Sequence, residues 1–319
     1  MGCVESSASV GPMMNSAFVF VKPHAVSEAT KELVKTTLEA RGCTILKEGD
    51  ISSEDIDSKK LIDQHYYAIA SKATILKAET LHVPADKFLQ AFGTEWATVL
   101  ANKAAYNALD ACKFLELDED GLKLYWDKCK DAGKLHKLGG GFYCGCIDTV
   151  PGKPATYVFN AFFMTMRAKF TKPGECIHYY SVEFDPGTLA WADFRGKVLG
   201  STDPAAAPPD SIRGMLFSRW EELGMASKPD TSDNGVHASA SPLEGMAEKN
   251  NWLGTPLAKD PFGKLLLGAS LKPALIKAWT IDPVVNYDEA GTKGSLFDAL
   301  EDIDVGPAFE KLVALAKFN

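Results

Sequence analysis

The sequence has no uninterrupted apolar run of about 18 residues, so it offers no transmembrane helix. No apolar leader follows its start, so no secretory signal peptide is expected. It has no C-x-x-C pair. Its seven cysteines are scattered, and Cys144-Gly145-Cys146 is too tight for the usual zinc spacing. Reduced cytosolic thiols are the reading, not a disulfide framework. It has no run of Lys and Arg, and 34 basic against 42 acidic residues leave a net charge of −8. A nucleic-acid partner is therefore not expected. The glycine-rich "KLGGGFYCG" at 137–145 lacks the closing Gly-Lys-Ser/Thr of a phosphate-binding loop, and a turn or hairpin is expected there.

What is present is an ordinary globular composition: 319 residues, 46% hydrophobic and 24% charged, enough for one large domain or two smaller ones. The start, "MGCVESS", places Gly2 with Ser6 in an N-myristoylation pattern and Cys3 beside it for palmitoylation. Two acyl chains would hold a membrane stably where one would not. Residues 1–16 then read as a flexible acylated tether, and the protein as cytoplasmic and peripheral at a membrane.

"AFVFVK" (17–22) is a continuous apolar run, hence a buried strand. Ser27 can cap a helix that places Leu33, Val34 and Leu38 on one face and ends at Gly42. "CTILKEGDI" (43–51) predicts a second strand, and 52–70 an amphipathic helix. Helical patterns dominate 71–154. "YVFNAFFMTMRAKF" (157–170) fits a helix through Phe159, Phe162, Phe163 and Met166, and "CIHYYSVEF" (176–184) a strand. A helix follows near 242–252, and short helices, some with Pro at the first position, fill 253–319.

In "DNGVHASAS" (233–241) a turn signal leads to His237, which stands among small residues. A surface turn is one reading. Imidazole at an accessible position is also a nucleophile with a lone pair at neutral pH.

Several stretches, in order, resemble the nucleoside diphosphate kinases. "FVFVKPHAV" resembles that family's first strand, which ends in Lys-Pro-Asp, and "DQHYYAI" its His-Tyr helix. "KVLGSTDPAAAPPDSIRGML" resembles Leu-Gly-x-Thr-Asn-Pro followed by Thr-Ile-Arg-Gly. "NGVHASAS" resembles Asn-Ile-Ile-His-Gly-Ser-Asp-Ser, and "MAEKNNWL" the helix after it. The resemblance covers roughly half of the chain. It implies an α+β fold with a ferredoxin-like antiparallel sheet (βαββαβ) and helices on one face, formed by 17–70 and 155–252. Residues 71–154 would be a mainly helical insertion and 253–319 a helical C-terminal extension.

The resemblance further implies phosphoryl transfer from a nucleoside triphosphate to a diphosphate through a phosphohistidine at His237, with Mg²⁺ carried on the nucleotide phosphates. Arg213 and Thr202 would hold phosphate oxygens, and Lys22 and Asn234 the sugar hydroxyl and phosphates. Tyr66 would donate near the γ-phosphate, Phe159 would stack on the base, and Ser239 belongs to the histidine motif. A homo-oligomer would fit the family. Several departures lie near the chemistry, among them Ala238 and Ala240 where the family has Gly and Asp beside the histidine. The family's second arginine falls at Gly196, with Arg195 beside it as a candidate substitute. The glutamate that orients the histidine falls at Asn250, with Glu244 or Glu248 as candidates. The third residue of Lys-Pro-Asp is His24. A catalytically impaired nucleotide-binding or scaffold module is the alternative reading.

Overall fold

Residues 15–21 form the central strand of the first sheet, and all seven are buried, as a continuous apolar run requires. The structure, a computed structural model, describes residues 13–318. Gly2 and Cys3 lie outside the described residues. The chain is a mixed α+β protein in two units: the described residues of Met1–Ile51 with Cys176–Asn319, and Ser52–Glu175.

In the first unit, β1 (Asn15–Val21) leads to α1 (Glu28–Ala40) and β2 (Thr44–Ser52). Ser27 caps α1 by accepting from the Thr30 amide at 3.1 Å, and Gly42 leaves it at φ +88°. The chain returns with β3 (Cys176–Phe184), α2 (Ile212–Arg219), β4 (Val236–Ala238) and α3 (Pro242–Leu253). The strand order is β2-β3-β1-β4. β1 runs antiparallel to β3, from Asn15 opposite Phe184 to Val21 opposite His178, and antiparallel to β4, with Phe20 opposite His237.

Alternation splits the sheet's two faces. Ala17, Val19 and Val21 join Tyr180, Val182 and Phe184 under Val34 and Leu38 of α1 and Ile212 and Leu216 of α2. The helical stretch Trp191–Asp193 and the wide turn Phe194–Leu199 complete that core. Phe18 and Phe20 point the other way and meet Trp252 of α3, at ring distances of 6.2 and 5.4 Å. Helices were expected on one face only, yet α3 covers the second. Gly245 permits this close crossing, since a Cβ there would lie 2.5 Å from the Ser16 carbonyl oxygen.

The C-terminal segment packs into the same unit rather than standing apart. Helices Pro261–Gly268, Pro273–Trp279, Leu296–Leu300 and Val305–Leu315 share a core with Leu243 and Met246 of α3. A short hairpin, Val284–Asn286 with Lys293–Ser295, joins the helices. Buried polar groups fix the junction: Lys249 pairs with Asp260 at 2.6 Å, and Asn15 donates to Asp304 at 2.7 Å.

The second unit carries a sheet among its helices. Its sheet has the order Ala105–Asn107, Thr156–Phe159, Phe142–Ile147, Leu135–Gly139, and its first pair is parallel. The expected 137–145 hairpin is present within it. The unit also takes in 52–70 and 155–175, which the sequence reading had grouped with the first sheet. The single helix expected over 157–170 is a strand ending at Phe159 and a helix Phe162–Thr171. Asn160 makes the break at φ +49°: its side chain accepts from the Tyr143 amide and donates to the Ile69 and Gly141 carbonyls, each at 2.9 Å. The helix expected over 52–70 is likewise interrupted at Lys60, φ +54°.

Candidate active site

The turn before β4 sets the position of His237. Gly235 takes φ +84°, where a Cβ would meet Leu216 at 2.5 Å, and its carbonyl accepts from the Lys22 amide at 2.9 Å. β4 then carries the His237 ring onto Phe20, stacked at 4.8 Å. The imidazole Nε2 lies 2.6 Å from Glu248 Oε1. Glu248 Oε2 accepts from the Ser239 hydroxyl at 2.6 Å, and that hydroxyl oxygen accepts from the Phe18 amide at 2.8 Å. The carboxylate is thus gripped from β4 and oriented through β1.

α3 delivers Glu248 because Ser241 caps it, accepting from the Glu244 amide at 3.2 Å, with Pro242 in its first turn. A carboxylate is an acceptor, so it holds the imidazole proton on Nε2 and leaves the lone pair on Nδ1. Burial, then the charges of Lys22, Arg213 and Arg195, hold His237 well below the usual histidine range. The ring is therefore neutral at pH 7. Its side chain is 19% exposed, enough for a reagent to reach an edge. Glu244 accepts from the Ala240 amide at 3.1 Å, and burial followed by the neighbouring Glu248 pushes its carboxyl up.

Arg213, in the first turn of α2, donates to the Gly200 carbonyl at 2.7 Å and to the Val236 carbonyl at 3.0 Å. It is tied to the residue just before His237. Gly214 is required beside it, because a Cβ there would sit 2.1 Å from the Pro208 oxygen. Burial, then Arg195, lowers Arg213 to about 10, and it remains a cation at neutral pH. Among the described residues no carboxylate pairs with it.

Asn234 donates to the Thr202 carbonyl at 3.2 Å, and among the described residues its buried Oδ1 has no hydrogen-bond partner. Thr202 itself is exposed. Lys22 donates to the Ser232 carbonyl at 3.3 Å, and His24 Nε2 lies 3.2 Å from the Asp233 carbonyl.

Asn250 is exposed and bonds the Thr255 carbonyl at 2.9 Å, so Glu248, two residues earlier, is the carboxylate at the histidine. Gly196 lies in the wide turn, with open space where its Cβ would be. Arg195 has its charge matched by Glu301 and Asp302, each at 2.7 Å. Burial works against that charge, but the two carboxylates hold it above the ordinary value.

Tyr66 belongs to the second unit, where it packs on a core with Ala70 and Ala161 and meets His65 edge-on. Phe159 is corrected outright. It is fully buried in that unit, against Trp96 and Phe142, and has no face for a base. The sequence reading missed Glu301 and Asp302. The only signal was an acidic run, "EDID", of a kind normally left in solvent.

No family model matches the chain, and no curated protein does. Among the solved structures similar to it are two nucleoside diphosphate kinases. The apo nucleoside diphosphate kinase of Encephalitozoon cuniculi shares 13% identity at a TM-score of 0.36, over 76% of this chain and 90% of its own. The NDP kinase of Pyrobaculum aerophilum shares 16% identity at a TM-score of 0.36, over 77% and 98%. Overlap this partial assigns no activity.

Proposed function

We propose that the protein is a nucleoside diphosphate kinase-like phosphotransferase working through a phosphohistidine at His237. The observation that carries this reading is the 2.6 Å contact of Glu248 with Nε2, beside an arginine that no described carboxylate neutralises. The strand order β2-β3-β1-β4, which is that of a ferredoxin-like βαββαβ sheet, is in keeping with it.

In the first half-reaction the Nδ1 lone pair attacks the γ-phosphorus of a nucleoside triphosphate. The P–N bond forms as the bond to the bridging oxygen breaks, and the diphosphate leaves with that electron pair. Glu248 stabilises the positive charge gained by the ring. Arg213 and Lys22 counter charge on the phosphates from fixed positions. Asn234, with its unmatched Oδ1, accepts from a sugar hydroxyl. A second diphosphate then attacks the phosphohistidine and restores the neutral ring.

Both carboxylate oxygens of Glu248 already accept, one from His237 and one from Ser239. The donor set therefore suits Mg²⁺ arriving on the nucleotide phosphates, where it would neutralise part of their charge. The test is incubation with γ-labelled ATP. Acid-labile, alkali-stable label on His237 supports the reading, and absence of label refutes it.

One observation favours nucleotide binding without catalysis: Arg195, the candidate second phosphate cation, is held by Glu301 and Asp302. Bound nucleotide with no phosphoenzyme would select that second reading. No described helix is long and apolar enough to cross a membrane. For attachment we propose acylation at Gly2 and Cys3. Gly2→Ala should move the protein from the membrane to the soluble fraction of a eukaryotic cell. An unmodified chain that is already fully soluble would end that proposal.

A further inference from the structure

The second unit holds a cavity of about 720 Å³, within the range of small-molecule sites. Its wall combines three kinds of chemistry. Tyr106 and Phe114 stack at 4.5 Å and 15°, forming an aromatic side. Lys77, Lys103 and Lys113 supply cations. Lys77 is paired with Asp110 at 2.6 Å, whereas Lys103 and Lys113 have no carboxylate partner among the described residues. Asp110 and Glu79 offer acceptor oxygens.

Lys103 also has an unusual backbone position. It closes the helix Trp96–Ala101 at φ +52°, a left-handed position where glycine is the usual residue. A lysine there carries a steric cost that glycine would not.

We propose that this cavity binds a nucleoside monophosphate, at a site separate from His237. The base lies along the Tyr106–Phe114 wall, because a planar ring gains most from an aromatic surface. The phosphate meets Lys103 and Lys113, the cations not already neutralised. Donor groups of the base or sugar meet Asp110 and Glu79. An aromatic wall alone would suit any flat apolar molecule, and lysines alone any anion. Acceptors beside both select a ring that carries hydrogen-bond donors and a phosphate.

The experiment uses the full chain with AMP, adenosine and inorganic phosphate as calorimetric probes, and 8-azido-AMP as a photolabel. AMP should bind at least about tenfold more tightly than either fragment, and the label should fall in tryptic peptides covering 104–123. Lys103→Gly should weaken AMP about tenfold or more while leaving Tm unchanged or higher, since glycine accepts the backbone conformation. Lys113→Ala, at an exposed helical position, should weaken it comparably. Phosphate binding as tightly as AMP, label confined to peptides outside the second unit, or undiminished affinity in a chain carrying both Lys103→Gly and Lys113→Ala would each overturn the proposal.

Discussion

Arg213 and Arg195 come from two segments of the same unit and end in opposite electrostatic states. Arg213 projects from the first turn of α2 onto two backbone carbonyls, which fix its direction without cancelling its charge. Arg195 projects from the wide turn Phe194–Leu199 onto two carboxylates of the C-terminal segment. Both charges act on His237. The difference shows how a cation is kept available for an anion: neutral oxygen acceptors orient a guanidinium, whereas carboxylates consume it.

The largest effect should come from the residue both arginines surround. His237→Ala should abolish the phosphoenzyme and nucleotide exchange, while nucleotide affinity, measured by calorimetry, stays within a few-fold. Full exchange by the purified variant would falsify the mechanism, and label moving to His24 would relocate it.

Glu248→Gln comes next, with transfer falling roughly 100-fold or more, because an amide can donate to Nε2 and displace the proton to Nδ1. Rapid-quench labelling would detect this, and an unchanged rate would remove Glu248 from the mechanism. The pH dependence has a definite sign. The folded His237 pKa is depressed, so labelling in the wild type should hold from pH 7 through the ordinary histidine range and fall only below it. The associated stability is present above the unfolded pKa and is lost as pH falls through the folded one.

Local structure near the site was legible because local rules decide it. The apolar run of β1, the Ser27 cap, Gly42 and the Asn234-Gly235 turn each carry their own signal. The carboxylate partner was open between two glutamates, since only the rotation of α3 on β1 decides which one faces the sheet. Phe159 was misread because strand and helix periods both accommodate "YVFNAFF", and the break depends on what Asn160 bonds to elsewhere. The strand Ala105–Asn107 of the second unit was hidden by its brevity, at three residues. Glu301 and Asp302 were illegible, because their partner lies 106 and 107 residues away.

Arg213→Ala should raise the KM for the donor nucleotide about 10- to 150-fold, as expected for losing one charge-assisted bond of about 1.5–3 kcal/mol. Steady-state exchange kinetics would show it, and a KM within twofold of wild type would place the phosphates elsewhere. Arg213→Lys should recover only part of the loss, because one ammonium cannot span the Gly200 and Val236 carbonyls and still offer a fork.

The smallest effect, and the one that sharpens the contrast between the two arginines, is expected from Glu301→Gln with Asp302→Asn. The amides keep the shape of the contact but return a full positive charge to Arg195. Both carboxylates are about half exposed, at 51% and 45%, so loss of the pairs should cost only about 0–1 kcal/mol of stability. The Asp302 backbone still donates to the Ala240 carbonyl, which keeps the segment in place. Two consequences have opposite signs. Affinity for a nucleoside triphosphate should rise a few-fold, because an anion meets an additional unneutralised charge. His237 should be depressed further, because the same charge disfavours its protonation. Calorimetry and an NMR titration of the imidazole read the two separately. Tighter binding without a change at His237 would mean that Arg195 serves the nucleotide from a distance. If neither moves, Arg195 is a structural anchor for the C-terminal segment, and Arg213 is the cation on which binding depends.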